Sequence, residues 1–319
     1  MMEVRKTNFD SWNIDRPITV QFAGNVIDLK QTERPPHKIE VQWIDANSYV
    51  DLRTGEIKQA KHSESRGDTM SAVNLRRSFA KMRALINTNW YGDNNELLIT
   101  LTYKENMQDN KRLAHDLDVF NKRMKRALGE VKYLTAVEPQ ARGAWHAHIL
   151  VKQLTSHYTY WPHEEVAKLW EHGTIIDVQR LRNCDNVGAY LSAYLTDSPA
   201  DAPHYPNPLT NGLRDNGTCP PKRVIKGGRL HMYPRGMRIF RASQNLDRPL
   251  IKKIRPYSAE YWALVSGSKI TYQSTLELSE SNQDNQDYLF NKIHQMQLNC
   301  KGASRPINDK EIADIQSTF

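Results

Sequence analysis

Two histidines in a predicted strand are the first residues whose spacing suggests chemistry. His146 and His148 lie in the segment AWHAHILV, residues 144–151, and side-chain alternation along a strand puts both imidazoles on one face. Glu138 ends the preceding predicted strand, and a hairpin closing around 139–143 would bring its carboxylate beside them. Two imidazoles and a carboxylate can bind a divalent cation such as Mg²⁺ or Mn²⁺ and leave positions open for substrate oxygens. The competing interpretation is a chance pair of surface histidines in a chain that has 11 of them.

Two tyrosines could supply a nucleophile. Tyr190 and Tyr194 lie four residues apart on a predicted helix that Asp185 could cap, so their rings should project from one side of it. A tyrosine hydroxyl can attack phosphorus and form a covalent phosphotyrosine, and a nearby cation would polarise the phosphate. The competing interpretation is that these tyrosines, with Val187 and Leu191, only form a helix face packed on the core.

A basic segment follows the tyrosines. Residues 222–255 contain 11 Lys or Arg and one acid, Asp247, with aromatic residues and glycines between them. Bases stack on aromatic rings while cations displace phosphate counterions, so this composition suits a nucleic-acid groove. The competing interpretation is a solvated basic surface. The candidate DNA-binding residues are Lys222, Arg223, Lys226, Arg229, Arg235, Arg238 and Arg241.

Hydrophobic periodicity predicts the elements that would position these groups. An amphipathic helix is predicted over 71–88, and the chain order β-α-β-β-α-β and a last helix follow it. The predicted strands are 97–103, 131–138, 144–151 and 174–178, with helices over Leu113–Leu128 and between Pro162 and Gly173. This order is typical of the ferredoxin-like (split β-α-β) arrangement, an α+β fold in which helices cover one face of an antiparallel sheet.

Composition limits the class of protein. Three widely spaced cysteines suit a reducing compartment and argue against a disulfide framework. No stretch approaches the roughly 20 apolar residues of a membrane span, and the N-terminus has no apolar signal region, so we expect a cytoplasmic protein. The predicted parts are a partly irregular N-terminal extension, 1–70, a core that includes the basic segment, 71–255, and a C-terminal segment of unassigned role, 256–319.

Four segments together resemble the HUH endonucleases, and among them the rolling-circle replication initiators of small bacterial plasmids and phages. The family's first motif is similar to LLITLTYKENM, residues 97–107, and its metal motif to VEPQARGAWHAHILV, residues 137–151. Its tyrosine motif resembles VGAYLSAYLT, residues 187–196. A stretch that often follows the nuclease core in these initiators looks like KGGRLHMYPRGMRIFRAS, residues 226–243.

The resemblance implies that the core is an HUH nuclease domain and gives its candidate residues roles. His146, His148 and Glu138 would hold the Mg²⁺ or Mn²⁺. Tyr190 or Tyr194 would attack the DNA and leave a 5′-phosphotyrosine and a free 3′-hydroxyl. The partner would be single-stranded or hairpin origin DNA.

One departure from the family concerns the tyrosine motif. Many relatives have a lysine between or beside the tyrosines, and Ser192 and Ala193 occupy that stretch here. The lysine's role in placing the phosphate would then fall to Lys222, Arg223 or Lys226.

Other functions remain open at this point. A conjugative relaxase shares the metal chemistry but usually has its tyrosine before the histidines and a third histidine, where this chain has Glu138. A single-strand transposase has the same motif order in a much shorter chain. A non-catalytic DNA-binding regulator would use the basic segment, with an incidental histidine pair. Because the sequence has no Gly-x-x-x-x-Gly-Lys-[Ser/Thr] phosphate loop, an initiator would need a host helicase and a host polymerase.

Overall fold

The computed structural model describes residues 2–34, 41–45, 47–60, 69–140, 143–173, 176–181, 186–188, 191, 198–199, 224–225, 233–234, 237–281 and 287–300. The helices with described bounds are α1 (Thr69–Asn89), α2 (Asn110–Leu128), α3 (His163–Trp170) and α4 (Ala259–Ser266). The strands are β1 (Met2–Thr7), β2 (Ile18–Ala23), β3 (Val26–Thr32), β4 (Val41–Trp43), β5 (Ser48–Asp51), β6 (Ile57–Gln59), β7 (Glu96–Thr102), β8 (Val131–Pro139), β9 (Trp145–Gln153), β10 (Ile176–Arg180), β11 (Ser198–Pro199), β12 (Val224–Ile225), β13 (Phe240–Ala242), β14 (Leu250–Ile254), β15 (Lys269–Ser281) and β16 (Asp287–Asn299).

The candidate metal ligands lie on a five-stranded antiparallel sheet with the spatial order β10-β7-β9-β8-β13. The chain order of its first four strands and two helices is β7-α2-β8-β9-α3-β10. These are the six elements that the sequence predicts, and the strand ends agree to within two residues. Strand β7 is buried along its whole length, as its apolar and threonine content predicts. The α+β class with an antiparallel sheet is confirmed.

Helix α2 has clear start and end signals and one apolar side. Asp109 accepts two backbone N–H groups of the first turn, and Gly129, with a φ of 77°, ends the helix. The side chains at three- and four-residue spacing are buried in the core that helix and sheet share: Leu113, Leu117, Phe120 and Met124.

Helix α2 and the histidines lie on opposite faces of the five-stranded sheet. Arg241 of β13 donates a hydrogen bond to Asp118 of α2 at 3.1 Å. Arg241 is paired in register with Thr135 of β8, which is paired with Ile149 of β9. Directly paired residues point to the same face, and neighbours along a strand point to opposite faces. His148 therefore faces away from α2.

The histidine face is covered along part of its length. Glu96 of β7 points to this face and accepts the backbone N–H of Tyr91, which follows α1 closely. Three leucines on the same face are fully buried: Leu98, Leu134 and Leu150. The sequence predicts helices on one face alone, whereas the end of α1 lies at the other face.

A six-stranded antiparallel sheet joins the two ends of the described chain. Its spatial order is β1-β15-β16-β3-β2-β14, so strands from 2–32 pair with strands from 250–299. Its apolar face forms a second core with Trp12 and Tyr261, whose side chains share a hydrogen bond of 3.1 Å. Periodicity does not predict this sheet, because pairing between distant segments leaves no local signal. Strands β4, β5 and β6 form a separate sheet, and β11 pairs with β12.

Helix α1 contacts both large sheets. Its buried side chains belong to the core of the five-stranded sheet. Gly24, in the turn between β2 and β3, has a φ of 58°, and a Cβ there would lie 2.1 Å from the carbonyl oxygen of Asn87 in α1. This close approach requires glycine and packs the six-stranded sheet against α1.

Among the described helices, none is both long and apolar enough to cross a membrane.

Candidate functional site

The register of β8 and β9 sets the positions of the three candidate ligands. Glu138 is paired with His146, and Ala136 is paired with His148. On the other side of β9, Thr102 is paired with His146 and Thr100 with His148. Glu138, His146 and His148 therefore lie on one face of the central strands, as the hairpin geometry predicts.

His148 is held between a carboxylate and a hydroxyl. Its Nε2 lies 2.7 Å from Oε2 of Glu138, and its Nδ1 lies 3.2 Å from Oγ1 of Thr100. Burial lowers the pKa of His148 from its usual 6.5 to about 4, and the negative charge of Asp177 opposes this shift. The imidazole is therefore neutral at neutral pH, and its contact with Glu138 is a hydrogen bond from Nε2–H rather than an ion pair.

The neutral imidazole can change its tautomer without losing the Thr100 hydrogen bond. With a proton on Nε2, Nδ1 accepts from the Thr100 hydroxyl. With the proton on Nδ1, the same hydroxyl oxygen accepts from it, and the Nε2 lone pair becomes available. Thr100 can thus orient the ring in either state.

The donor types fit a divalent cation, but the three side chains do not yet form a closed group. Carboxylate and imidazole are ligands that Mn²⁺ and similar ions accept. Within the described part of the chain, no three His, Cys, Asp or Glu side chains are arranged to hold a metal ion. The structure joins Glu138 to His148 and places His146 on the same face beside them.

Two residues that the sequence argument does not single out belong to this face. Asp177 of β10 is paired with Thr100, which is paired with His148, so the three form one row across the sheet. The available signals are weak: Thr100 alternates with Thr102 in an apolar strand, and Asp177 is the one acid in the segment TIIDV. Neither pattern indicates a partner without knowledge of the strand order.

Both candidate nucleophiles, Tyr190 and Tyr194, lie outside the described residues, but the start of their segment is described. Val187 and Leu191 are buried in the core of the five-stranded sheet. The N–H of Gly188 donates to the Asn87 side chain of α1 at 2.8 Å. Helix α1 therefore holds the beginning of the tyrosine segment.

Most of the candidate DNA-binding residues also lie outside the described residues: Lys222, Arg223, Lys226, Arg229 and Arg235. Arg238 is exposed. Arg241 contacts α2, where it bonds to Asp118 and to the carbonyl oxygen of Ala114. Further along the basic segment, β14 pairs with β2 in the six-stranded sheet.

Comparison with protein families points to DNA replication. Residues 96–199 match the model of the replication-associated protein family of the ORF2 type. The matched region begins at β7 and includes Glu138, both histidines and both tyrosines. The match is consistent with a rolling-circle replication initiator, the group that the motifs resemble. Comparison with curated proteins and with solved structures gave no significant match.

The buried neutral state of His148 predicts that acid destabilises the fold. In the unfolded chain His148 has its usual pKa of 6.5, whereas the folded value is about 4. Between these values the unfolded state binds the extra proton, so the free energy of unfolding falls as the pH falls. From about pH 7 to about pH 5, this group should account for about 2 kcal/mol.

Urea unfolding of the wild type and of His148→Gln, without divalent metal, measures this contribution. The variant should lose less stability on acidification, while the control His157→Gln, at an exposed position, should behave as wild type. An equal loss in all three proteins would contradict a buried neutral imidazole.

A second prediction concerns the contact between α1 and the tyrosine segment. A Cβ on Gly188 would lie 2.6 Å from the carbonyl oxygen of Arg83, a backbone atom that cannot move aside cheaply. Gly188→Ala should therefore lower the free energy of unfolding by about 2 kcal/mol, as overpacking does. Gly267→Ala is the control, because its nearest neighbour would be 3.4 Å away. Equal stability of the two variants would show that the segment does not pack as described.

Proposed function

We propose that the protein is a replication initiator that nicks one strand at a replication origin by metal-assisted attack of a tyrosine. The observation that supports this most is the contact between Glu138 and His148 on the central strands of the antiparallel sheet. The contact lies inside the region that matches the replication-associated family. A structural histidine would not need a carboxylate and a second histidine on the same face.

The strand topology supports the finer fold assignment. The order β7-α2-β8-β9-α3-β10 in an antiparallel sheet is that of the ferredoxin-like arrangement expected for an HUH nuclease. In this arrangement β9 is central, with both β7 and β8 as neighbours. The two histidines are therefore held from both sides.

In the proposed site, Glu138, His146 and His148 hold Mg²⁺ or Mn²⁺. The cation would neutralise charge on the scissile phosphate. Tyr190 or Tyr194 loses its proton as its oxygen bonds to phosphorus, and the bond from phosphorus to the 3′ oxygen breaks. The 3′ oxygen gains a proton and becomes the primer end, while the 5′ phosphate stays on the tyrosine. Attack by a 3′-hydroxyl on the phosphotyrosine later rejoins the strand.

The replication family favours this function over the alternatives. A transposase or a relaxase would use the same chemistry, and a regulator would bind DNA without cleaving it. The expected setting is the cytoplasm, where a host helicase separates the strands and a host polymerase extends the 3′ end. The basic segment, including Lys222, Arg223, Lys226, Arg229 and Arg235, is proposed to contact the DNA backbone.

The proposed metal site predicts a role for the Thr100 hydroxyl. Thr100→Val keeps the shape of the side chain but removes the group that orients His148. Mn²⁺ affinity, measured by calorimetry on the full chain, should fall about tenfold, as for other groups that orient metal-bound histidines. His148→Ala should abolish binding, and Thr100→Ser should restore it.

Thr135→Val is the matched control for Thr100→Val. Thr135 lies on the same sheet but on the opposite face, and its buried hydroxyl has no hydrogen-bond partner within the described structure. Its replacement should leave Mn²⁺ affinity unchanged. If Thr100→Val and Thr135→Val bind Mn²⁺ equally well, Thr100 does not orient a metal ligand.

The tyrosine mechanism predicts a covalent adduct. Tyr190→Phe, Tyr194→Phe and the double variant are compared on labelled single strands tiled across the origin of the replicon that encodes the protein. We expect Tyr190 to attack first, because it lies nearer the start of its helix, where free amides favour a phosphate. The double variant should form no adduct, and a chelator should prevent adduct formation by the wild type.

Tyr160→Phe, at a tyrosine that is 73% exposed, is the control and should react as wild type. An adduct formed by the double variant would exclude both tyrosines as nucleophiles. Activity of Tyr190→Phe with none for Tyr194→Phe would reverse the order of use.

A further inference from the structure

A cavity of about 410 Å³ lies on the face of the five-stranded sheet opposite to the histidines. It is bounded by the start of α2, by β8 and by residues 237–241, and we call it the α2 cavity. Its apolar lining consists of Leu113, Leu117, Val137 and Met237. The volume is in the range of cavities that hold small organic groups.

The polar wall of the α2 cavity is cationic. Lys111, Arg238 and Arg241 line it together with Asn110. Arg241 is engaged by Asp118, so its charge is partly compensated and its position is fixed. Lys111 and Arg238 are exposed, and neither forms an ion pair with another described residue. Two uncompensated cations therefore stand beside an apolar surface.

The acid nearest to this wall is already occupied. Asp109 precedes the cavity residues and accepts the backbone N–H groups of Lys111 and Arg112. These hydrogen bonds lower the pKa of the Asp109 carboxyl, so it remains an anion that caps α2. The remaining balance of charge favours an anionic ligand with an apolar part.

A nucleotide of single-stranded DNA has this chemistry. Its base presents a flat apolar face to an apolar surface, and its phosphate pairs with Lys or Arg. A base in a duplex is already stacked and paired, so a cavity of this kind selects an unpaired one. A peptide with an acidic side chain would not gain as much from the apolar lining.

The position of the α2 cavity suggests which nucleotide it holds. Val137 lines the cavity and directly precedes Glu138, and the two side chains point to opposite faces of β8. Strand β13 is the edge of the sheet next to β8. A strand of DNA that passes around this edge would reach both faces, with a flanking nucleotide in the cavity.

We propose that the α2 cavity binds one unpaired nucleotide that flanks the scissile phosphate, with the base on the apolar lining and the phosphate at Lys111 and Arg238. The choice of DNA as the ligand rests on the proposed function. The binding step itself needs neither metal nor tyrosine. It can therefore be tested while cleavage is prevented.

The test measures binding to the full chain carrying Tyr190→Phe and Tyr194→Phe, in the presence of a chelator. The probes are a fluorescein-labelled oligothymidylate of about 12 nucleotides and an abasic strand of equal length. Ala114→Leu fills the cavity from α2, because Ala114 is one of its lining residues. It should weaken oligothymidylate binding about tenfold and leave abasic binding unchanged.

Charge removal tests the phosphate contact separately. Lys111→Ala with Arg238→Ala should weaken binding of both probes and reduce the slope of log affinity against log salt by about 1.4, for two phosphate contacts. Ala127→Leu and Lys122→Ala, at exposed positions of α2 outside the cavity lining, are the matched controls and should bind as the parent chain does. Melting temperatures establish that every variant is folded.

Photocrosslinking gives the location. An oligothymidylate that contains 5-iodouracil should crosslink to peptides that include residues 110–117 or 237–241, and Ala114→Leu should remove those crosslinks. Crosslinks elsewhere, together with unchanged affinity of both variants, would overturn the proposal. Binding that passes these tests in a protein without any adduct-forming activity would keep the cavity assignment and reject the nicking mechanism.

Discussion

The antiparallel register between β8 and β9 is the constraint on which the candidate site depends. It pairs Glu138 with His146, and it leaves His148 two residues further along the same face. A shift of one residue would turn the carboxylate to the α2 face and separate it from both imidazoles. The register is fixed by burial as much as by hydrogen bonds, because the shift would also expose Leu134 and Leu150 of the core.

Burial determines the chemical state of the site. A charged imidazole at the position of His148 would lose its hydration, and this cost holds its pKa near 4 despite the nearby Asp177. A neutral ring with one nitrogen on a carboxylate and the other on a hydroxyl satisfies both polar atoms. The same arrangement suits a metal ligand, since only the neutral ring has a lone pair to offer.

Local patterns explain how much of this could be predicted from the sequence. Strand alternation and a short hairpin are local, so the association of Glu138 with the histidines follows from spacing alone. The roles of Thr100 and Asp177 depend on the strand order β10-β7-β9, which is set by tertiary packing. The six-stranded sheet has no local signal for the same reason. A count of basic residues likewise does not reveal that Arg241 is paired with Asp118.

Helix α1 and strand β8 together set the distances within the proposed machinery. Helix α1 contacts the six-stranded sheet at Gly24 and holds Gly188 at the start of the tyrosine segment. The position of the nucleophile relative to the histidines therefore depends on α1 and not on the sheet alone. Strand β8 places Val137 on one face and Glu138 on the other, and it is hydrogen-bonded to Ile239 at the cavity edge. Because adjacent residues of a strand are about 3.3 Å apart, a rigid strand fixes the spacing between a bound flanking nucleotide and the phosphate to be cut.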